Sequence, residues 1–474
     1  MKYDDIYFIN ANEALKVASQ QNRWENDGKL QVCYYEGEKI ESELVNLIHL
    51  PLNDFVNLLG NGTLRLPTVI STSGFEINFQ EWEGMKLGFK NLLREAQELR
   101  NIMNKNYFMQ SRSSNPDFNE KLRFYIPAHE NTKVMRYASE NIADTLKELG
   151  YEVYFDLYNG CEDMNCLKNM ADFNPHATIS INHILNEYLS DNVFHFVWIQ
   201  DYWAQNQLPI NYKLRQRDVI FHLTNHLGTA LLNKKISSTY QPFCVNNKLF
   251  KLRPEIKRYN KILFIGSSYK HAYDEVIEEK KETICKKLFD LYVTKGYIEQ
   301  DKRDAIRLKY NMESEEFNHI INYIERDLSL EYIIQNNKDQ SIEVYGYGWD
   351  DNKNLDAYYK GPIEYGENLS MLYNSAKYCI VIGGYVMQQR TLEASASGSI
   401  PLVFDSRKSA ADPESLGMTK SLLFFQTLDD FGKILNKNET VDLSVIVNEN
   451  NFDSFGNKIV EYIKSFEEKK YNNE

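Results

Sequence analysis

Arg390 and Glu393, three residues apart, carry the clearest chemical signal in the sequence. They lie in QQRTLEASAS, a stretch with helical periodicity directly behind the apolar run CIVIGG, which reads as a strand. A spacing of three puts both side chains on one helix face, and a helix that starts at the carboxyl end of a parallel strand begins where open α/β sheets bind ligands. A cation and a carboxylate there suit a nucleotide sugar. The guanidinium can pair with a diphosphate, and the carboxylate can accept hydrogen bonds from two ribose hydroxyls. The backbone amides around Arg390, Thr391 and Leu392 would add the anion affinity of a helix N-terminus. The plain alternative is an Arg–Glu ion pair on a helix surface.

Two other strand ends carry small or aromatic residues. Gly266-Ser267-Ser268 closes the run KILFIG and would let backbone approach a phosphate, though an ordinary strand-to-helix turn fits the same residues. Tyr345, Gly346, Gly348 and Trp349 follow SIEV; the glycines would leave room for a flat base and an aromatic ring to stack on it, against a merely structural turn. In the first half, His129 follows LRFYIPA, Asp201 follows FHFVWIQ, and His226 comes two residues after DVIFHLT, so all three are expected at carboxyl strand edges. Any of them could be the general base that takes a proton from an acceptor hydroxyl in an inverting transfer; a retaining course lets the departing phosphate take it. Each also reads as a loop or capping residue.

These positions depend on strands alternating with helices. After a Ser-, Asn- and Pro-rich linker at 110–120, LRFYIPA, YEVYFDLY, HATISIN, FHFVWIQ and DVIFHLT read as five strands interleaved with helices, including one from Asn131 to Leu149 that Gly150 ends. The rhythm predicts a Rossmann-like parallel sheet over 121–255. A second unit over 259–474 opens at YNKILFIGSSY, is interrupted by a charged, Gly-poor helical insertion at 274–338, and resumes with SIEVYGYG, the helix ENLSMLYNSAKY, CIVIGG, the helix closed by Gly398, and SIPLVFDS. Residues 1–115 read as an amino-terminal α/β extension, with an apolar run at Leu44–Leu52, turns at Gly60 and Gly62, and a helix from about Glu81 to Asn104.

No internal repeat is visible. The sequence lacks GxGxxG, GxxxxGK[ST] and GxSxG, and no two aspartates stand two residues apart, so the Asp-x-Asp metal clamp is absent. Three motifs occur in order: the Tyr345–Trp349 turn, the segment Gly361 to Leu369 (GPIEYGENL), and Arg390-x-x-Glu393-x-x-x-x-Gly398 followed by an apolar strand. In them the chain resembles the carboxy-terminal half of GT-B glycosyltransferases, specifically the group resembling spore maturation protein CgeB. The resemblance runs from Leu263 to Ser406, with the helical region poorly matched, and is not apparent in residues 1–120. It implies a GT-B type α/β fold of two Rossmann-like domains facing a cleft, metal-independent transfer of a sugar from a nucleotide donor, expected to be a UDP-sugar, to a protein or glycan acceptor, no resident cofactor, and a ribose-binding role for Glu393. Members of the larger GT-B group with two acids eight apart place the first near the donor sugar; here that position is Tyr385. The alternatives are a nucleotide-sugar epimerase of the same fold and a non-catalytic nucleotide-sugar-binding or scaffold subunit of a glycosylation complex.

The 54 Lys and Arg against 67 Asp and Glu give a net charge of −13, which argues against nucleic acid as a partner. The 474 residues hold 43% hydrophobic and 13% aromatic side chains, enough for two to four globular units and unlike a disordered chain. Of six cysteines only Cys161 and Cys166 lie close together, without the second ligand pair a zinc site needs, so reduced cytosolic thiols are expected. No basic-then-apolar leader and no apolar run of membrane-spanning length is present, which predicts a soluble, cytoplasmic protein.

Overall fold

Strands buried along their whole length need a sheet covered on both faces, as parallel sheets are, and the computed structural model of the protein contains two parallel sheets of this kind. It describes residues 6–10, 31–36, 46–49, 102 and 116–471, apart from 130–131, 159–163, 207, 211, 278, 280, 385, 408–421 and 436–440. The chain divides into two compact units, Met1–Val197 with Lys213–Val219, and Trp198–Tyr212 with Ile220–Glu474.

In the amino-terminal region β1 (Ile6–Asn10), β2 (Gln31–Glu36) and β3 (Asn46–His49) pair in parallel as a three-stranded sheet. The turns expected at Gly60 and Gly62 and, but for residue 102, the helix expected at 81–104 lie outside the described residues. There follow β4 (Arg123–His129), α1 (Lys133–Glu148), β5 (Glu152–Tyr158), α2 (Met164–Phe173), β6 (Ala177–Ile181), β7 (Phe194–Ile199), α3 (Tyr202–Asn206), β8 (Asp218–His222), α4 (Asn225–Asn233) and β9 (Thr239–Tyr240). Gly150, at φ +91°, ends α1 as the sequence predicts. The six strands lie in the order β5-β4-β6-β7-β8-β9, and β6, β7 and β8 are buried throughout. His195, wholly buried, meets the Thr178 hydroxyl at 2.7 Å and accepts from the Leu185 amide at 2.9 Å, and burial pushes it down to about 3, so it is a neutral core residue.

The second sheet holds β10 (Tyr259–Ile265), β11 (Ile342–Tyr345), β12 (Ala376–Val381), β13 (Ile400–Phe404) and β14 (Leu423–Phe425) in the order β11-β10-β12-β13-β14, parallel at every pairing. Between β10 and β11 run α5 (Lys270–Asp274), α6 (Lys281–Lys295), α7 (Gln300–Lys309), α8 (Ser314–Tyr323), a π-helical turn (Ile324–Leu328) and α9 (Ser329–Asn336). After them come α10 (Glu367–Asn374), α11 (Gln389–Ala396), α12 (Phe431–Leu435), α13 (Ser444–Glu449) and α14 (Phe452–Tyr471). The alternation of β10 assigns its two faces. Ile262 and Phe264 pack with Ile284, Leu288, Tyr292, Ile320 and Ile333 of the helical insertion, whereas Leu263 packs with Tyr373 of α10 and Leu392 of α11. The insertion is therefore one of the sheet's two covering layers. Two parallel sheets in tandem, each interleaved with helices, make this the α/β architecture that the sequence predicts.

The last helix, α14, turns back onto strand ends far upstream. Phe455 packs against Trp198 and Phe221 with ring centres 5.2 Å apart in each case, and Lys458 Nζ bonds the Gln241 side-chain oxygen at 3.1 Å.

One buried carboxylate ties the insertion to the sheet. Glu325, 6% exposed, accepts from the Tyr292 hydroxyl at 2.6 Å, from Arg303 Nη2 at 2.5 Å and from the Gly384 amide at 3.1 Å in the loop after β12. A carboxylate so placed is tolerated because it is paired. Replacing Arg303 with Met leaves it buried and uncompensated, and we expect a loss of about 3–5 kcal/mol in unfolding free energy by urea denaturation; a loss below about 1 kcal/mol would show that the pair holds nothing.

Candidate functional site

In the second sheet the first strand, β10, lies between the second and the third, so the chain leaves it in opposite directions at β10 and β12. Sheets of this topology bind ligands beyond the carboxyl ends of those two strands. The segments there are Gly266–Tyr269, after β10, and Ile382–Gly384 with Val386–Gln388, which leads into α11.

Gly266 has no side chain because Arg390 occupies the space: a Cβ on Gly266 would lie 3.0 Å from Arg390 Nη1 and 3.3 Å from Nη2. The guanidinium reaches from the first turn of α11 across the end of β10, 5.5 Å from the Phe264 ring centre. Its Nη1 is buried and has no hydrogen-bond partner. Next to it, the Gly266 and Ser268 amides donate to the Tyr345 and Tyr347 carbonyls at 2.9 Å each. Ser267, between them, is exposed.

The sequence did not single out Arg326, which lies at the same turn. Its Nη1 donates to the Ser267 carbonyl at 3.0 Å, its guanidinium lies 4.0 Å from the Tyr269 ring centre, and its Nε is buried without a partner. Burial and the charge of Arg390 bring Arg326 down to about 10. Asp327, 1% exposed, accepts from the Ser268 hydroxyl at 2.8 Å and the Tyr269 amide at 2.9 Å. Burial raises its carboxyl to about 6 against these two donors. Charged residues in a helical insertion look like a solvated face in sequence; the only hint was their place in an otherwise apolar stretch, IERDLSLEYII.

Several expectations need correction. Trp349 is not offered for stacking: it is 1% exposed, donates from Nε1 to the Gly266 carbonyl at 2.8 Å and meets Phe264 edge-on. Gly346 leaves no room for a base either, since a Cβ there would come 2.2 Å from the Gly266 carbonyl oxygen. Its glycine, at φ +137°, lets the two turns pack together. Gly348 lies over Ser268 in the same contact. Tyr345 points elsewhere, its hydroxyl donating at 3.0 Å to Glu343, which pairs with Lys261. Thr391 is fully buried and donates to the Val386 carbonyl at 2.7 Å, while the Thr391 and Leu392 amides bond the Gln388 carbonyl, so neither amide offers an anion site.

Arg390 and Glu393 do not form a surface ion pair. Glu393 is 5% exposed, and its Oε1 accepts from Gln389 at 3.1 Å, which also donates to the Cys244 carbonyl. Burial raises the carboxyl to about 7, with Gln389, Arg390 and the Tyr373 hydroxyl pulling the other way.

Of the three proposed bases, His129 ends β4 and lies close enough to His183 to disfavour its charging. Asp201 follows β7, and His226 lies half-buried in the first turn of α4, where burial lowers its pKa. Tyr385 lies outside the described residues. Among the described residues no group of three His, Cys, Asp or Glu side chains is arranged to hold a metal, and no helix is long and apolar enough to cross a membrane.

No family model matches the sequence, and no curated protein matches it. Solved structures do. The glycosyltransferase AviGT4 of avilamycin A biosynthesis is 10% identical over 72% of this chain and 96% of its own, with a TM-score of 0.44. A glycosyltransferase from Rickettsia africae ESF-5 is 12% identical over 73% and 98%, TM-score 0.41, and SnogD from Streptomyces nogalater 10% over 72% and 100%, TM-score 0.37. Activity has to be read from the site itself.

The buried Glu393 gives a signed prediction. Its carboxyl binds a proton more tightly in the folded chain than at its ordinary value of 4.5. Its contribution to stability is therefore complete below about pH 4.5 and is lost as pH rises to about 7, a change of about 3 kcal/mol. Glu393→Gln removes that dependence, so the variant should gain on the parent by about this amount between pH 5 and pH 8 in denaturant unfolding. A difference that stays flat with pH would refute the assignment.

Proposed function

We propose that the protein is a glycosyltransferase that moves a sugar from a nucleotide-sugar donor, a UDP-sugar, bound by residues 259–474, to a protein or glycan acceptor without a metal. The observation that carries this reading is Arg390, whose guanidinium lies across the carboxyl end of β10, beside Gly266 and the exposed Ser267, with a buried N–H that has no acceptor among the described residues. A buried donor of this kind is costly unless a ligand satisfies it. A diphosphate supplies acceptors in the planar arrangement a guanidinium matches. The CgeB-like resemblance of the Arg390–Gly398 motif points to the same donor class.

In the transfer, the acceptor oxygen bonds to the anomeric carbon as the bond from that carbon to the diphosphate breaks. Arg390 stabilises the charge that accumulates on the departing phosphate. The hydroxyl proton goes to His129, Asp201 or His226 in an inverting course, or to the departing phosphate in a retaining one. His226, held toward its neutral form by burial, has a free base's protonation state at pH 7. Glu393 serves the donor ribose only for a ligand that reaches down against the first turn of α11, because Gln389 already holds one of its oxygens.

If Arg390 acts mainly on the leaving group, truncation costs more in the transition state than in the ground state. Arg390→Ala should lower kcat about a hundredfold and weaken the donor less, and Arg390→Lys should restore part of the rate, since a point charge lacks the two-pronged contact. A raised donor KM with unchanged kcat would make it a binding residue alone. Transfer from UDP-hexoses should also persist in EDTA; complete loss restored by Mn²⁺ would overturn the metal-free reading.

A further inference from the structure

We infer that Arg326 and Arg390 form a two-cation site that selects a diphosphate over a monophosphate, which makes the helical insertion part of the donor site. The inference rests on the nucleotide-sugar reading above and deepens it. Both guanidiniums flank one turn: Arg390 covers Gly266, and Arg326 bonds the carbonyl of the next residue, Ser267. Each has a buried nitrogen without an acceptor among the described residues, Nη1 of Arg390 and Nε of Arg326. The acid beside Arg326, Asp327, is committed to Ser268 and Tyr269.

Two like charges close enough to disfavour one another, both desolvated and both short of an acceptor, are an unfavourable arrangement in an empty site. One bridging anion relieves all three costs. A single phosphate can satisfy one planar fork well. Two forks held at successive residues of one turn, Arg390 at Gly266 and Arg326 at Ser267, call for two phosphate groups, as in a nucleoside diphosphate sugar, and place nucleoside monophosphate sugars at a disadvantage. The backbone supports this division of labour. Arg390 belongs to α11, which follows β12, whereas Arg326 sits in the π-helical turn that Glu325 and Asp327 fasten to the loops after β12 and β10. Such turns are frequent at functional sites.

The test is calorimetric titration of the full chain with inorganic pyrophosphate and, separately, with inorganic phosphate. The parent should bind pyrophosphate at least tenfold more tightly than phosphate. Arg326→Gln should weaken pyrophosphate about tenfold to a hundredfold, the worth of a charged hydrogen bond, and phosphate much less. Arg326→Lys, which keeps the charge and the stem against Tyr269, covers the case in which the Gln variant does not fold; it should fall between the two. Equal binding of both anions by the parent, no binding of pyrophosphate, or pyrophosphate affinity unchanged in a folded Arg326 variant would overturn the inference. The two readings fail separately. Arg326-dependent pyrophosphate binding without sugar transfer from any UDP-hexose leaves the site standing and removes the transferase, whereas transfer unaffected by Arg326→Lys or Arg326→Gln does the reverse.

Discussion

Three consecutive residues of one π-helical turn, Glu325, Arg326 and Asp327, govern the geometry of the candidate site. The two carboxylates are 6% and 1% exposed and are tolerable there only with donors around them. Besides Tyr292 and Arg303 of the insertion itself, those donors come from the segments that border the candidate site: the Gly384 amide in the loop after β12, and the Ser268 hydroxyl and Tyr269 amide in the turn after β10. The electrostatic requirement of two buried acids thus fixes the loops that a ligand would meet. The helical insertion sets the shape of the site from beneath, and Arg326, between the two anchors, is presented at a defined place.

Helix α11 divides its labour along one flank. Arg390 extends to the end of β10, and Glu393, one turn later, turns inward to Gln389 and Tyr373. The helix-face rule gives the shared flank correctly but says nothing about depth. Depth decides the chemistry: one group has a buried N–H without an acceptor among the described residues, and the other is brought by burial to the edge of neutrality at physiological pH.

The fold was legible because parallel strands advertise themselves. Runs such as FHFVWIQ and CIVIGG are buried on both faces and carry no polar alternation, so their order and the helices between them give the two sheets directly. Arg390 was legible because it follows a strand end at a helix start, the kind of position at which open α/β sheets bind ligands. Arg326 was not, since a charged residue in a helical segment usually marks a solvated surface and only tertiary burial reverses that meaning. Trp349 and Gly346 misled for the opposite reason. A Gly-x-Gly-Trp turn has the composition of an open ligand pocket, but the backbone of the neighbouring turn takes up the space that the glycine vacates.

The packing of α14 on Trp198 and Phe221 bears on how the chain is made. Those two side chains, 1% and 3% exposed in the finished fold, leave the ribosome more than two hundred residues before Phe455 does. At about 5–20 residues per second the covering helix arrives on the order of ten seconds or more later. Through that interval an apolar face of the nascent chain stands open to water, and chaperones compete with misassembly for it until the helix arrives.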